Sequence, residues 1–541
     1  MFNVRRLILA HFSVAFAVLA VGLILGEWQM IVRSPLHAWV QNPEHYYRSV
    51  TAHGSSLAYV FPTLVAMGFG YAISVTALRQ PLAGLRLAWI AFYLLVLGAL
   101  VSMVPVALGR ASVLYTFYPP LIANAFYYIG IVLVVVGSWI WVGILHVNYR
   151  VWKARNANAP LPLPMFANLA GAYLWAWTAV GAALEILLQI LPVALRWRST
   201  IDAGLARVLF SWTLHAIVYF WLMPAYIAYY TIVPRAIGSR LYSDTMGRLS
   251  FALFLVFAMP IGIHHLFADP MVGSGIKMMH TIFTAMVAVP TLLTIFTIAA
   301  TVELAARARG GRGALNWVKA LPWDNPAMLG IAFSFILLGL GGAGGLINMS
   351  YQLDSTIHNT QWITGHFHLI FAGAIVIMYF IVAFDLWPHL TGRDLGPPVL
   401  QRLQLWLWFL GMLVLTLPWH WAGLLSMPRR MAYFDYSAPA ISPEAWTVVV
   451  SAIGGAIVLA SGLLFVYILA SSFRRAAIES SAYRFSEPLH PVVAVPRALN
   501  GLGLWFALMV ALTLVNYGFP IWQLAQLKET SVPAIYVGAS Q

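Results

Sequence analysis

Long apolar runs, separated by short polar or Pro/Gly-rich breaks, recur along the whole sequence. Most runs reach about 20 residues, the length that an α-helix needs to cross the hydrocarbon core of a bilayer. The pattern predicts about thirteen membrane-spanning helices. They lie near residues 7–26, 55–78, 85–108, 121–145, 167–194, 205–233, 249–268, 279–303, 327–348, 361–385, 403–425, 446–471 and 501–524. We therefore expect an all-α polytopic membrane protein, with residues 1–541 forming a single membrane domain.

The composition agrees with a membrane protein. Hydrophobic residues make up 61% of the chain and charged residues only 9%, whereas a soluble domain carries about 25% charged residues. The formal net charge of +14 is explained by cationic loops on one membrane face, so it does not indicate a nucleic-acid partner. Cysteine is absent, which excludes disulfides and thiolate metal sites. The N-terminal apolar run is too long for a signal peptide and is predicted to be the first membrane helix.

The distribution of Lys and Arg predicts the orientation. Assigning alternate connections to opposite faces places 20 Lys/Arg on the side of the N-terminus and nine on the other side. Because cationic residues are enriched in cytoplasmic loops, we expect the N-terminus in the cytoplasm and the C-terminus outside. Residues 472–498 form the longest polar connection and are predicted to be a surface loop.

Several ionisable residues fall inside or at the outer ends of the predicted helices. A single histidine at such a place is explained as well by an interhelical hydrogen bond as by a functional role. Six of them, from four helices, are expected at one depth: His53, His215, His264, His265, His366 and His368. Intramembrane ionisable groups usually face a functional interior, and imidazole suits Cu, Fe and Zn, so a metal centre is the leading hypothesis. Glu185 is a further candidate acid to which the sequence assigns no role.

Helical spacing predicts how two of these histidines point. His366 and His368 are two positions apart, which is about 200° around a helix axis. They must therefore face nearly opposite sides of one helix and could hold two metals on its two flanks. Phe367, between them, would lie close to both.

The other histidines predict a three-nitrogen site. His215 and Tyr219 are four residues apart, so they share one helix face. The adjacent His264 and His265 diverge by about 100°, and both reach one metal only if it lies against the end of their helix. With His215 they would leave one position open for a small ligand. The alternative for the adjacent pair is an ordinary polar pair at the membrane interface.

The motifs YTFYPP, HAIVYFWLMPAY, HHLFADP, HNTQWITGHFHL and MPRR occur in this order. With these motifs the chain resembles the catalytic subunit I of the haem–copper oxygen reductases over essentially its whole length. It is most similar to the B family, whose thermophilic cytochrome c oxidases contain b- and a-type haems. The resemblance implies the subunit I fold in the cytoplasmic (inner) membrane of a bacterium or archaeon. It also implies reduction of O2 to water with electrons from cytochrome c or a similar donor, proton uptake from the cytoplasm and proton pumping.

The resemblance further implies the metal ligands. His53 and His368 would be the axial ligands of a low-spin haem b, and His366 the single protein ligand of a high-spin haem of a, o or b type. The ligands of the copper called CuB would be His215, His264 and His265. Tyr219 would be covalently linked to His215 and would donate one electron and a proton. Ala216 stands where the family usually has proline, and Ile217 where the A family has the glutamate that ends its D proton channel.

A polar line descends from the expected metal centre toward the cytoplasm. Tyr219, Tyr226 and Tyr230 lie at positions i, i+7 and i+11 of one helix, and Thr291 and Thr294 are neighbours on another. By resemblance these residues form the analogue of the K proton pathway, whose entrance uses a carboxylate of subunit II. The alternative for each hydroxyl is packing or a bond to the carbonyl four residues earlier.

On the outer side, Arg429 and Arg430 in the MPRR motif suit the carboxylates of haem propionates, because arginine binds carboxylates bidentately. Asp354, His358 and Asn359 are expected to complete the network around the propionates. Without the motif, the two arginines would be interpreted as part of a solvated loop.

The resemblance and the absence of cysteine also predict partners. The dinuclear copper site that accepts electrons in this family needs thiolates, so a separate subunit II must carry it or another electron-accepting site. We also expect a small accessory membrane subunit, and cytochrome c or a small copper protein as the donor. A nitric oxide reductase of the same superfamily is the alternative, but it lacks the tyrosine and surrounds its non-haem iron with glutamates. A relay cytochrome or a transporter would leave the three clustered histidines and Tyr219 unexplained.

Overall fold

A computed structural model describes residues 2–35, 42–432, 434–438, 442–479, 482–492 and 494–538. The helices are α1 (Phe2–Arg33), α2 (Pro43–Ser55), α3 (Phe61–Leu78), α4 (Leu85–Ala107), α5 (Ala125–Arg155), α6 (Leu163–Glu185), α7 (Leu191–Ala194), α8 (Ala203–Thr231), α9 (Val233–Ala236), α10 (Asp244–Phe257), α11 (Ser274–Met286), α12 (Ala288–Ala308), α13 (Pro326–Met349), α14 (Tyr351–Ile357), α15 (Gln361–His368), α16 (Val376–Thr391), α17 (Pro398–Leu424), α18 (Ala445–Ser472) and α19 (Gly503–Leu527). Four short strands are β1 (Leu121–Ile122), β2 (Thr200–Asp202), β3 (Ser531–Pro533) and β4 (Ile535–Tyr536). The prediction of an all-α membrane protein is confirmed.

Twelve helical segments in the described part of the chain are long and apolar enough to cross a membrane. The seventh predicted helix, at 249–268, is not among them: α10 ends at Phe257 and a 3-10 turn follows at Gly262–Leu266. Pro260 explains the break, because proline lacks an amide hydrogen and disfavours helical geometry in the residue before it. The predicted second helix begins earlier than expected, at Pro43.

Three of these twelve segments form the interior of the bundle. In Pro43–Leu78, Ala203–Thr231 and Gln361–Thr391, 83% of the most apolar stretch is buried, against at most 61% in the others. A helix that is apolar all round is a buried helix. These three segments carry four of the six candidate histidines, so the predicted metal centre lies in the middle of the fold.

Three helical segments contain π-helical turns, at Ser56–Val60, Ile186–Ile190 and Leu369–Ile375. Each joins two α-helices into one continuous span: α2 to α3, α6 to α7, and α15 to α16. A π turn inserts one extra residue into the helix and is frequent at functional sites.

The N-terminal ends of α5 and α8 are tied to the C-terminal segment. Strand β1, just before α5, pairs in parallel with β4, and β2, just before α8, pairs antiparallel with β3. Asp202 caps α8 by accepting a hydrogen bond from the Leu205 amide at 2.9 Å, and the Thr530 hydroxyl also bonds this carboxylate. The start of the helix that carries His215 is therefore fixed by backbone pairing as well as by its cap.

The predicted surface loop at 472–498 agrees with the structure after Ser472, the last residue of α18. Its described residues are irregular apart from isolated bridges at Ala477 and Pro488 and a short 3-10 turn at Arg497–Leu499. The loop is anchored by Tyr483, whose hydroxyl lies 2.5 Å from Asp385 Oδ2. Arg235 pairs with the same carboxylate, with Nη2 2.5 Å from Oδ1. Asp385 is therefore paired with Arg235 and also accepts a hydrogen bond from Tyr483.

Candidate metal centre

A cavity of about 780 Å³ runs through the middle of the bundle. Its lining includes all six candidate histidines, together with Tyr219, Glu185 and the pair Arg429 and Arg430. The six histidines therefore line one common cavity, which agrees with the prediction that they converge. The cavity combines mostly apolar walls with a few polar groups, as binding sites for cofactors do.

His215, His264 and His265 form the one group of three or more histidine, aspartate or glutamate side chains, in the described chain, whose ligand atoms all lie within 4.8 Å of one another. His215 Nδ1 is 3.2 Å from His265 Nε2. Two metal–nitrogen bonds of about 2 Å at a roughly tetrahedral angle span about this distance. The three rings therefore fit a single metal ion with an open position. His264 and His265 lie in a 3-10 turn, and this places both rings on the side of His215.

Hydrogen bonds fix the orientation of His264. Its Nδ1 lies 3.1 Å from the hydroxyl oxygen of Thr284, and Thr284 donates its own hydrogen to the His280 carbonyl at 2.6 Å. Because that hydrogen is used, the hydroxyl oxygen accepts from His264 Nδ1–H, which leaves the Nε2 lone pair free for a metal. Sequence reasoning missed Thr284 and His280, although their i, i+4 spacing on α11 was a signal that they share a face.

Gly262 permits the close approach of this turn to α8. A Cβ at Gly262 would collide with the carbonyl oxygen of Ser211. The Gly262 amide donates to the Tyr517 hydroxyl at 2.8 Å, so α19 also holds the turn in place. The break in the seventh predicted helix thus brings His264 and His265 to His215.

Tyr219 lies beside His215, with ring centroids 5.1 Å apart. This is the same-face arrangement that the i, i+4 spacing predicts. His215 turns Nδ1 toward His265, so its Nε2 is the nitrogen left for another neighbour. Tyr219 also contacts Phe254 of α10, at 6.0 Å between centroids.

His53 and His368 face each other across the interior. Their ring centroids are 6.3 Å apart and the ring planes differ by 21°. Two metal–nitrogen bonds of about 2 Å each, plus the half-ring on either side, account for this separation. His53 Nδ1 donates to the Gly22 carbonyl at 2.8 Å, and His368 Nδ1 to the Thr364 carbonyl at 2.9 Å. Both Nε2 atoms are left as acceptors for one metal, the usual arrangement for a ligating histidine.

His366 points away from this pair, toward α13. Its Nδ1 donates to the Gly341 carbonyl at 2.9 Å. Glycines make room for the ring, because a Cβ at Gly344 would lie 3.1 Å from His366 Nδ1 and one at Gly345 would lie 3.2 Å from Cε1. The prediction that His366 and His368 face opposite sides of one helix is confirmed. Phe367 lies between them, 5.4 Å from the His368 ring.

The predicted polar line is paired across two helices. The Tyr226 and Thr291 hydroxyl oxygens are 3.3 Å apart, and Tyr230 donates to Thr294 at 3.1 Å. The Thr294 hydroxyl also bonds the Pro290 carbonyl at 3.0 Å. Sequence reasoning missed Thr301 of α12, whose hydroxyl accepts from the Tyr242 amide at 3.0 Å and adds a polar group farther along the helix.

The residues predicted to surround the haem propionates form two hydrogen-bonded pairs, and one buried N–H donor has no partner among the described residues. Arg429 Nη2 donates to Asn359 Oδ1 at 2.9 Å, and His358 Nδ1 lies 2.6 Å from Asp354 Oδ2. Arg429 Nε is buried without a partner among the described residues. Burial and the neighbouring Arg430 lower the pKa of Arg429 to about 9. An anionic group at this place would relieve both costs, so the arginines fit a carboxylate ligand.

The sequence of the chain is similar to those of known proteins. Residues 6–458 match the family described as cytochrome c and quinol oxidase polypeptide I. The chain is 36% identical to cytochrome c oxidase subunit 1 of Thermus thermophilus over 540 residues, which covers 96% of this chain and 95% of that one. It is 26% identical over 445 residues to cytochrome c oxidase subunit 1 of a Synechocystis species, covering 78% of this chain and 75% of the relative.

A solved structure agrees over nearly the whole fold. A haem–copper terminal oxidase dimer determined by cryo-electron microscopy superposes with a TM-score of 0.93 at 31% identity. The match covers 99% of this chain and 96% of that chain. These matches agree with the three-histidine group and with the opposed pair His53 and His368. They show that this chain belongs to the haem–copper oxidase family, as a cytochrome c and quinol oxidase polypeptide I.

Proposed function

We propose that this chain, a catalytic haem–copper oxidase subunit, reduces dioxygen to water between the group held by His366 and the metal held by the three clustered histidines. The observation that carries the proposal is the opposed orientation of His366 and His368 on one helix, with a three-histidine group beside the cavity. Electrons would come from cytochrome c or a similar donor. Each dioxygen would consume four electrons and four protons and yield two water molecules.

Three of the histidines would serve as the protein ligands of two haems. His53 and His368 would hold a low-spin haem b, since their facing Nε2 atoms suit one six-coordinate iron. His366 would hold a high-spin haem of a, o or b type on the other flank. Phe367 lies between the two positions, so electrons would cross a single helix.

His215, His264 and His265 would hold the copper CuB. When bound, the haem iron and the copper supply the binding of dioxygen and the redox chemistry. The protein's own contribution is to fix the three imidazoles, with His264 oriented by Thr284, and to exclude bulk water. Tyr219 would be joined to His215 and would give a proton and an electron at its phenol oxygen, because its ring lies beside that of this proposed copper ligand.

Protons would reach Tyr219 along Tyr226, Tyr230, Thr291 and Thr294, in the manner of the K pathway. The two tyrosine–threonine pairs support this assignment. Entry from the cytoplasm would use a carboxylate of subunit II, and the uptake of protons would be coupled to pumping. On the outer side, Arg429 and Arg430 would bind the haem propionates, with Asp354, His358 and Asn359 around them.

Subunit I of this family works with a subunit II, and that partner would carry the dinuclear copper or another electron-accepting site. A small accessory membrane subunit and a cytochrome c or copper-protein donor complete the proposed assembly. The motifs and Ile217 favour the B family. The protein would lie in the cytoplasmic (inner) membrane of a bacterium or archaeon, with its N-terminus in the cytoplasm and its C-terminus outside.

Metal analysis of the purified complex, with reduced-minus-oxidised spectra taken with and without carbon monoxide, tests the proposal. We expect two haems, one copper beyond those of subunit II, and a carbon monoxide shift in only one haem. His366→Ala should abolish that shift, whereas His368→Ala should remove the signal of the other haem. Two haems with a non-haem iron and no CuB would instead indicate a nitric oxide reductase.

A further inference from the structure

Glu185 is a fully buried carboxyl group that none of the roles assigned above uses. Glu185, the last residue of α6, is 0% exposed and lines the same cavity as the candidate metal ligands. Neither of its carboxyl oxygens has a hydrogen-bond partner among the described residues. An unpaired carboxylate in such a place is costly, whereas a carboxyl group that binds a proton is not. A proton on Glu185 therefore removes the cost of a buried, unpaired charge.

The surroundings of Glu185 lead outward. Glu185 is close enough to act electrostatically on the phenols of Tyr59 and Tyr128, and it forms no ion pair within the described ranges. The Tyr59 hydroxyl donates to the Tyr115 carbonyl at 2.7 Å. Tyr115 belongs to the YTFYPP loop at the outer face, where Arg430 lies over the Tyr118 ring at 5.7 Å. Tyr59 thus links the neighbourhood of Glu185 to the loop whose Tyr118 ring contacts Arg430.

Helix geometry singles out the same residue. The π-helical turn at Ser56–Val60 begins three residues after His53, and the one at Leu369–Ile375 begins directly after His368. The third π turn of the described chain, at Ile186–Ile190, begins directly after Glu185. Helices tolerate such turns mostly where function needs them. Glu185 therefore stands in the same position relative to its π turn as His368, one of the proposed haem ligands, does to the turn at Leu369–Ile375.

We propose that Glu185 is a proton-binding residue of the oxidase, which takes up and releases one proton in step with reduction of the metal centre. The proposal rests on the proposed function. As one electron from the donor reaches the centre, the carboxylate oxygen of Glu185 gains one O–H bond, with the proton drawn from the cytoplasmic side. As the electron passes on to dioxygen, that bond breaks and the proton leaves toward the outer loop. Glu185 itself ends each cycle unchanged.

Infrared difference spectroscopy of the complete oxidase complex tests this assignment directly. Reduced-minus-oxidised spectra are recorded in H2O and D2O for the wild type, Glu185→Gln and Glu27→Gln. Glu27 is the matched control, since it lines the same cavity and also has a buried oxygen without a partner. We expect a redox-linked, deuterium-sensitive carboxyl C=O band that Glu185→Gln abolishes and Glu27→Gln retains. We also expect protons released per electron by the complex in vesicles to fall at least about twofold in Glu185→Gln.

The proposal is overturned if the wild type has no such band or if the band persists in Glu185→Gln. Should Glu185→Gln fail to assemble, Glu185→Asp keeps the test open, because a moved band supports the assignment and an unmoved band contradicts it. Haem and copper contents and the carbon monoxide shift are measured on the same samples. Loss of the metals from the wild type would count against the proposed function, while an unchanged infrared spectrum in an intact Glu185 variant counts against Glu185 alone.

Discussion

The Nδ1 atom of His264 lies 3.1 Å from the hydroxyl oxygen of Thr284, a residue that contributes no ligand of its own. The Thr284 hydrogen is committed to the His280 carbonyl, so the hydroxyl can only accept from His264. This relationship selects the tautomer of His264 and turns its Nε2 toward His215. The orientation of the His264 ring therefore depends on α11 as well as on the segments that carry the candidate ligands.

Thr284→Val should weaken copper binding by about 10–100-fold, the usual effect of removing a partner of a metal-ligating histidine. Valine keeps the shape of threonine but cannot accept the Nδ1–H hydrogen bond. Copper retained by the purified variant after stepwise dialysis against a chelator measures the effect. Thr284→Ser, which keeps the hydroxyl, is the control and should retain copper like the wild type. Equal retention by the valine variant would show that the hydrogen bond does not position His264.

Peptide mapping should recover His215 and Tyr219 in one cross-linked fragment. The two rings lie side by side, 5.1 Å apart, and the His215 Nε2 is not needed for the metal. Tyr219→Phe should remove the cross-link and slow oxygen reduction by at least about 10²-fold, because a positioned proton donor contributes that much or more. Oxygen consumption by the purified complex provides the rate. Separate, unmodified peptides from the active wild type would contradict the cross-link.

Thr294→Val should slow proton uptake by about tenfold, corresponding to about 1.4 kcal/mol in the barrier. Valine removes the acceptor of the Tyr230 hydroxyl, a bond of 3.1 Å. Thr513→Val is the matched control, because Thr513 also bonds the carbonyl four residues earlier but lies on α19. Proton uptake from the inner face of vesicles during a single turnover separates the two variants. An equal effect of both variants would mean that Thr294 acts only by packing.

Gly344→Ala should disturb the haem held by His366, because the added methyl would lie 3.1 Å from His366 Nδ1. The ring must then shift by a few tenths of an ångström, and the carbon monoxide difference spectrum should change. Gly143→Ala, in α5 and away from the cavity lining, adds a methyl with nothing within 4 Å and should leave that spectrum unchanged. It should also stabilise the helix by about 0.5–1 kcal/mol, as thermal unfolding would record. Identical spectra for both variants would argue against close packing of His366 on α13.

Much of the fold could be predicted from the sequence, because apolar length alone identifies membrane helices. The exception at 249–268 arose because Pro260 and the close contact of Gly262 with α8 break a run that is apolar enough to continue. Helical spacing also predicted the opposed orientation of His366 and His368. Apolar length and helical spacing are local properties, so they can be read from the order of residues in one segment.

The partners of the histidines could not be predicted in the same way. His53 donates to Gly22 of α1 and His366 donates to Gly341 of α13. A backbone carbonyl is present at every residue, so the sequence carries no mark of which one a distant imidazole reaches. The neighbours of Glu185 are equally non-local, since Tyr59 and Tyr128 come from other helices.

The π-helical turn at Leu369–Ile375 divides one long membrane segment into two rotational phases. The phase of α15 aims His366 and His368 at their separate sites, while the phase of α16 buries a different set of side chains against the bundle. A regular α-helix could satisfy only one of these demands along its length. Deleting a single residue from the turn would rotate one half against the other by about 100°. Either the two histidines would then point away from their sites, or α16 would no longer pack against the bundle. This would happen although every apolar residue outside the deletion remained.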